Sequence, residues 1–145
     1  ADLEQLALVF QDCLEFQESC LVVLCQALTQ KEKLKVLALN FHGCREITSA
    51  GLVLFNEVFK EAHALERVSL DVTLCDKVAN KGIEEFCTYL RQKKHLKSLI
   101  LHIGGTNVGQ SAMPLLYKEM GGLDKFEVSV AIRTSSFIGL GVLLS

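Results

Sequence analysis

The chain has 145 residues, of which half are hydrophobic and 22% charged, with one Pro, no Trp and a formal net charge of −2. That length is enough for one ordinary domain burying about two-thirds of its unfolded surface, and the composition excludes a disordered or low-complexity protein. No Lys/Arg surplus exists to release counterions from a phosphate backbone, so no nucleic-acid partner is expected.

The first predicted element is a strand opening at Leu3, with Leu6, Leu8 and Phe10 at alternate positions, the period of a strand buried on one face. Cys13, Phe16 and Cys20 follow, and then the opening phrase, Leu-x-x-apolar-x-apolar, returns at Leu34/Leu37/Leu39, Leu65/Val68/Leu70, Leu96/Leu99/Leu101 and Leu123/Phe126/Val128. The first leucines advance by 31, 31, 31 and 27, which marks a repeat architecture. Counting each first leucine as offset zero, offset seven holds Phe10, Phe41, Val72, Ile103 and Val130, and offset ten holds Cys13, Cys44 and Cys75. Phe16, Ile47 and Val78 share offset thirteen, with Val108 and Phe137 one residue out of phase. Small residues come four positions later at Cys20, Gly51, Gly82, Ala112 and Gly141.

Each unit therefore predicts a strand followed by a helix. Leu52, Phe55 and Phe59, and again Ile83, Phe86 and Leu90, have the spacing of an amphipathic helix of three to four turns, with Thr48 and Asn80 as caps. The recurring Gly at a helix start costs about 0.5 to 1 kcal/mol relative to Ala, which predicts close packing there and poor tolerance of Gly82→Leu. The whole is one α/β domain over residues 1–145, with repeats at about 3–33, 34–64, 65–95, 96–122 and 123–145, the last incomplete.

Leu37-Ala-Leu39-Asn-Phe-His-Gly-Cys44-Arg-Glu-Ile47-Thr48-Ser-Ala-Gly51-Leu52, repeated from Leu70 through Cys75 to Gly82-Ile83, resembles the cysteine-containing and ribonuclease-inhibitor-like leucine-rich repeats. The resemblance covers essentially the whole chain. It implies a right-handed βα horseshoe, a solenoid with parallel strands on the concave face and helices on the convex one, typically used to grip protein partners. The units here are longer than is usual for that family. The fourth departs further, with Gly104-Gly105-Thr106-Asn107 in place of the Cys, and Asn107 is expected to replace that Cys as the buried hydrogen-bonding residue of the turn.

Cys13, Cys44 and Cys75 invite a metal reading, but a same-phase residue in every unit is what a repeating core demands, and free Cys is among the most buried residue types. No Cys-x-x-Cys or His-x-x-x-His pair accompanies them, so no metal or cofactor is expected. His42, His63 and His95 read as exposed loop residues, whereas His102 falls on a partner-facing strand position. No nucleophile-and-base motif is visible, and the expectation is a protein that is not an enzyme. The N-terminal Ala1-Asp2-Leu3-Glu4 lacks the features of a signal peptide. Reduced thiols and an intracellular, cytoplasmic setting are expected. The apolar run Phe137–Leu144 is far short of the roughly 20 residues of a membrane span.

With offsets three and five inward, offsets two, four and six face the groove. These are Gln5, Val36, Arg67, Ser98 and Lys125, then Ala7, Ala38, Ser69, Ile100 and Glu127, then Val9, Asn40, Asp71, His102 and Ser129. The candidate partner-binding set is Arg67, Ser69, Asp71, Ser98, Ile100, His102, Lys125 and Glu127. Phe137–Leu144 resembles the opening of a further repeat helix, and no capping unit precedes Leu3, so two raw apolar ends are expected. The leading expectation is a protein-interaction or scaffold module, a subunit or fragment of a larger assembly, binding other proteins through the concave face or the uncapped ends. The alternative is a regulatory or substrate-recognition part of an enzyme system, a GTPase activator or ubiquitin-ligase adaptor, with Arg67 the one tempting residue for the former.

Overall fold

A computed structural model describes residues 2–132 and 139–144 of the chain. The protein is α/β, built on a single sheet. Strands β1 (Gln5–Gln11), β2 (Val36–Asn40), β3 (Arg67–Asp71), β4 (Ser98–His102) and β5 (Lys125–Ser129) lie side by side in sequence order, all parallel. The intervening helices are α1 (Glu18–Leu28), α2 (Ser49–Val53), α3 (Phe55–Glu61), α4 (Asn80–Arg91) and α5 (Met113–Met120). Parallel neighbours need a crossover, and a helix supplies each one.

The register reproduces the repeat. Gln5 pairs with Val36, Val36 with Arg67, Arg67 with Ser98 and Ser98 with Lys125, so residues of equal offset stand opposite one another across five strands. Offsets three and five are buried from Leu6 and Leu8 through Leu99 and Leu101, in one core with Leu52, Phe55, Phe59, Ile83, Phe86 and Leu90 from the helices. The alternate positions of β2, β3 and β4 remain partly or fully exposed. Helices therefore cover one face of the sheet, and the other face carries the variable residues.

Several repeat-phased bonds tie each unit to the next. At offset nine, in the turn that follows the strand, Asp12, Gly43, Leu74 and Gly105 all take positive φ, from 56° to 74°. A left-handed residue is needed there to turn the chain toward the helix, and at Gly43 an added Cβ would also lie 1.9 Å from Asp12 Oδ1. One residue on, the Cys44 thiol donates to the Phe10 carbonyl and the Cys75 thiol to the Phe41 carbonyl at 3.1 Å. The cysteine is thus a small core residue that also satisfies a carbonyl of the preceding unit. Offset one alternates in charge through Glu4, Lys35, Glu66, Lys97 and Asp124, with ion pairs Lys35–Glu4 at 3.2 Å and Lys97–Glu66 at 3.3 Å. These pairs are exposed and add little stability, but they favour the observed register over a slipped one.

Thr48 caps α2, its hydroxyl accepting from the Gly51 N–H at 3.0 Å. Asn80 does not cap α4. It is the first residue of the helix, and its side chain reaches the following unit, accepting from Gly109 N–H at 2.7 Å and donating to Ser111 Oγ at 3.0 Å. Ser49, at the same offset, accepts from Ala79 N–H at 2.9 Å. Polar groups at helix starts are thus spent between units.

Other expectations are corrected. Residues Gly139–Leu144 do not open a helix but form β6, antiparallel to β1, from Leu6↔Leu144 to Gln11↔Gly139. Phe137 and Ile138 lie outside the described residues. Gly-Leu-Gly-Val-Leu-Leu has glycines where a helix would lose stability, and Leu140, Val142 and Leu144 alternate, as a strand requires. The register sets these three opposite Phe10, Leu8 and Leu6. The β1 edge is therefore paired, not raw, and the sheet is not wholly parallel. Val130 is 66% exposed because, among the described residues, no unit packs beyond β5. His42 is buried, its Nδ1 4.0 Å from Asp71 Oδ2. Asp71 is the last residue of β3, so the turn after β2 sets this histidine beside the end of the neighbouring strand. Asn107 is exposed, although its side chain does donate to the Asp76 carbonyl of the preceding unit. Thr106 holds the cysteine's offset instead and donates to the Ile103 carbonyl at 2.6 Å.

Candidate interaction face

Three rows of side chains cross the helix-free face, set by strand register: Arg67, Ser98 and Lys125, then Ser69, Ile100 and Glu127, then Asp71, His102 and Ser129. The eight residues expected there are all partly or fully exposed on β3, β4 and β5, as alternation along a strand dictates. Five of them, Arg67, Ser69, Ser98, Ile100 and Lys125, line a shallow groove of about 520 Å³ together with Val36, Ala38, Lys97 and Asp124. The groove lies toward the N-terminal ends of the strands, so Asp71, His102 and Glu127 stand outside its lining.

The polar residues of the face differ in what they are already doing. Lys125 pairs with Glu127 at 3.5 Å, and Lys97 with Glu66. Asp71 is partly structural, because its Oδ1 accepts from the Thr73 N–H at 2.9 Å, as Asn40 accepts from the His42 N–H one unit earlier. Among the described residues Arg67 is the groove-lining cation for which no ion pair is formed. The groove thus combines apolar Val36, Ala38 and Ile100 with a guanidinium, the pairing that suits an extended segment bearing an apolar side chain beside a carboxylate.

The thiols make no comparable site. No group of three or more potential metal ligands occurs among the described residues. Burial raises Cys25, Cys44 and Cys87 to about 12 and pushes Cys75 up as well. Held protonated, they are poor nucleophiles and poor ligands. A thiol reagent at pH 8 is expected to modify the partly exposed Cys13 and Cys20 of the native protein quickly, leaving the other four until denaturant is added. The same burial sets a pH dependence. With folded values raised above the unfolded value of about 8.5, the thiols' contribution is complete below that pH and is lost as pH rises toward 12. Urea midpoints should hold to about pH 8.5 and fall steeply above it.

The two ends carry most of the remaining apolar surface. Among the described residues, Leu14, Val22 and Val23 are exposed on the first unit and Leu115, Tyr117, Val130 and Ile132 on the last two, with Tyr89 between. At the β5 end a second groove of about 730 Å³ is lined by Val108, Met113, Pro114, Tyr117, Val128 and Val130 among others. It is the surface on which a further unit would stack. Of the two raw ends expected from the sequence, the β5 end is open among the described residues, whereas the β1 edge is paired by β6. Sequence reading missed the charge alternation at offset one and the polar series Ser49, Asn80 and Ser111, both visible once residues are aligned by offset. Among the described residues no helix is long and apolar enough to cross a membrane. No protein-family model matches this chain, and no curated protein matches it.

Proposed function

We propose that the chain is a leucine-rich-repeat solenoid of the cysteine-containing, ribonuclease-inhibitor-like kind, acting as a non-catalytic protein-interaction or scaffold module that binds through its helix-free sheet face. The observation that carries this reading is the division of labour along each strand. Residues in repeat phase are spent on core, turn and inter-unit bonds, whereas the rows between them vary from strand to strand and stand exposed. Variable side chains presented on a regular scaffold suit recognition. The groove around Arg67 and Ile100 fits an extended segment of a partner protein that presents an apolar side chain and an acidic one.

The test uses a displayed library of short peptides selected against the whole chain. Ligands should be enriched in an apolar residue next to Asp or Glu. The double variant Arg67→Glu, Ile100→Ser should weaken them at least about tenfold, since truncating a desolvated charge contact costs about 2 kcal/mol or more. A control at the helical surface, Lys81→Glu, should not. Selected ligands unaffected by the double variant, with its melting curve unchanged, would remove the groove as the site.

A further inference from the structure

Strand β5 ends the sheet: it pairs with β4 along one side, and among the described residues nothing pairs along the other. The bonds that join the earlier units show which groups that edge leaves open. The offset-one carbonyl of each strand accepts from offsets one and two of the next, Glu4 from the Lys35 and Val36 N–H groups, Lys35 from those of Glu66 and Arg67, and Glu66 from those of Lys97 and Ser98. Past the other end of the strand, the offset-seven N–H donates to the next strand's offset-six carbonyl, from Phe41 to Asp71 at 2.8 Å, Val72 to His102 at 2.9 Å and Ile103 to Ser129 at 2.8 Å. On β5 the corresponding groups are the Asp124 carbonyl and the Val130 N–H, and neither is bonded among the described residues.

Side chains mark the same edge. Ion pairs at offset one run from an acid to the lysine of the next unit, Glu4 to Lys35 and Glu66 to Lys97. Asp124 holds the acid's place in the fifth unit, and its cationic neighbours are already paired, Lys97 with Glu66 and Lys125 with Glu127. On the helix side, Val128 and Val130 border the groove of about 730 Å³, and the Tyr117 ring stands edge-on to Phe126 at 5.3 Å. We propose that the β5 edge binds an extended segment of a partner protein as an added parallel strand. The segment has the pattern Lys/Arg-x-apolar-x-apolar, with its basic residue opposite Asp124 and its apolar ones opposite Phe126 and Val128. Backbone bonds hold the segment, and the Asp124 pair fixes its register and direction. Its binding does not depend on the groove around Arg67 and Ile100, although Asp124 borders both.

The experiment titrates fluorescein-labelled peptides with the full chain and follows anisotropy. One peptide carries Lys-Thr-Val-Thr-Val-Thr between Gly/Ser flanks, a second has Glu for the Lys, and a third has the first sequence reversed. The natural chain should bind the first at least about fivefold more tightly than the second, because attraction is exchanged for repulsion at one pair. Asp124→Lys, at an exposed position, should reverse that preference, whereas the Arg67→Glu, Ile100→Ser double variant should preserve it. Val130→Pro removes an N–H that makes no bond among the described residues, so it should weaken the first peptide with an unchanged melting curve. Failure of every peptide to bind overturns the proposal, as does a preference that Asp124→Lys leaves unchanged or a reversed peptide that binds as tightly as the first. Light scattering that shows the chain pairing with itself, and no longer doing so in Val130→Pro, would give the edge to a second copy and overturn it as well.

Discussion

Gly82→Ala is expected to lower the unfolding free energy by about 2–3 kcal/mol, and Gly82→Leu by more, in urea titrations followed by circular dichroism. An ideal Cβ at Gly82 would stand 2.6 Å from Ser49 Oγ, 2.7 Å from its Cβ and 2.8 Å from its Cα. The last belongs to the backbone of α2, so the clash can be relieved only by moving one helix from the other. That movement would also break the bond from Ala79 N–H to Ser49 Oγ, which fixes the start of α4. Opposing the loss is a gain in helix propensity of about 0.5 to 1 kcal/mol, too small to offset it. Gly51 is the control. A Cβ there would meet the end of a flexible side chain, Leu21 Cδ1 at 2.7 Å, which can rotate away, so Gly51→Ala should be within about 1 kcal/mol of neutral. Equal losses at the two glycines would show that helix spacing is not what requires Gly82.

Phe55→Ala should have the larger effect, about 3–5 kcal/mol, a large share of the roughly 5–15 kcal/mol that holds a domain folded. Phe55 is completely buried at the start of α3. Its ring centroid lies 6.2 Å from those of Phe59 and Phe86 and 6.4 Å from that of Phe41, so one side chain ties the strand and helix of its own unit to the helix of the next. Removing it leaves a cavity between layers that cannot collapse without displacing the strands. Phe55→Leu keeps most of the volume and should cost much less. Phe16, packed against Phe10 and Phe41 but only partly buried, should lose about half as much on truncation to Ala. The melting temperature should fall furthest in Phe55→Ala, less in Phe16→Ala and least in Phe55→Leu.

The sequence by itself determined the repeat unit and what lies inside it. Equal spacing of Leu3, Leu34, Leu65 and Leu96 put equal offsets opposite one another, because parallel strands joined by equal crossovers must pair in phase. Alternation then decided which residues are buried and which eight of the candidate face are exposed. What the tertiary structure decided were the events that depend on having, or lacking, a neighbour. His42 is buried by the adjacent strand end and not by anything local. Asn80 leaves its own helix because the following unit offers both a donor and an acceptor. Val130 has repeat phase but, among the described residues, no unit packs beyond it, and it stays in solvent. Gly139–Leu144 becomes a strand because an unpaired edge of β1 waits with six backbone positions to fill. Local pattern fixes period and facing direction, since both follow from backbone geometry. Pairing at an edge follows from what else the chain can bring there, and that is settled only in three dimensions.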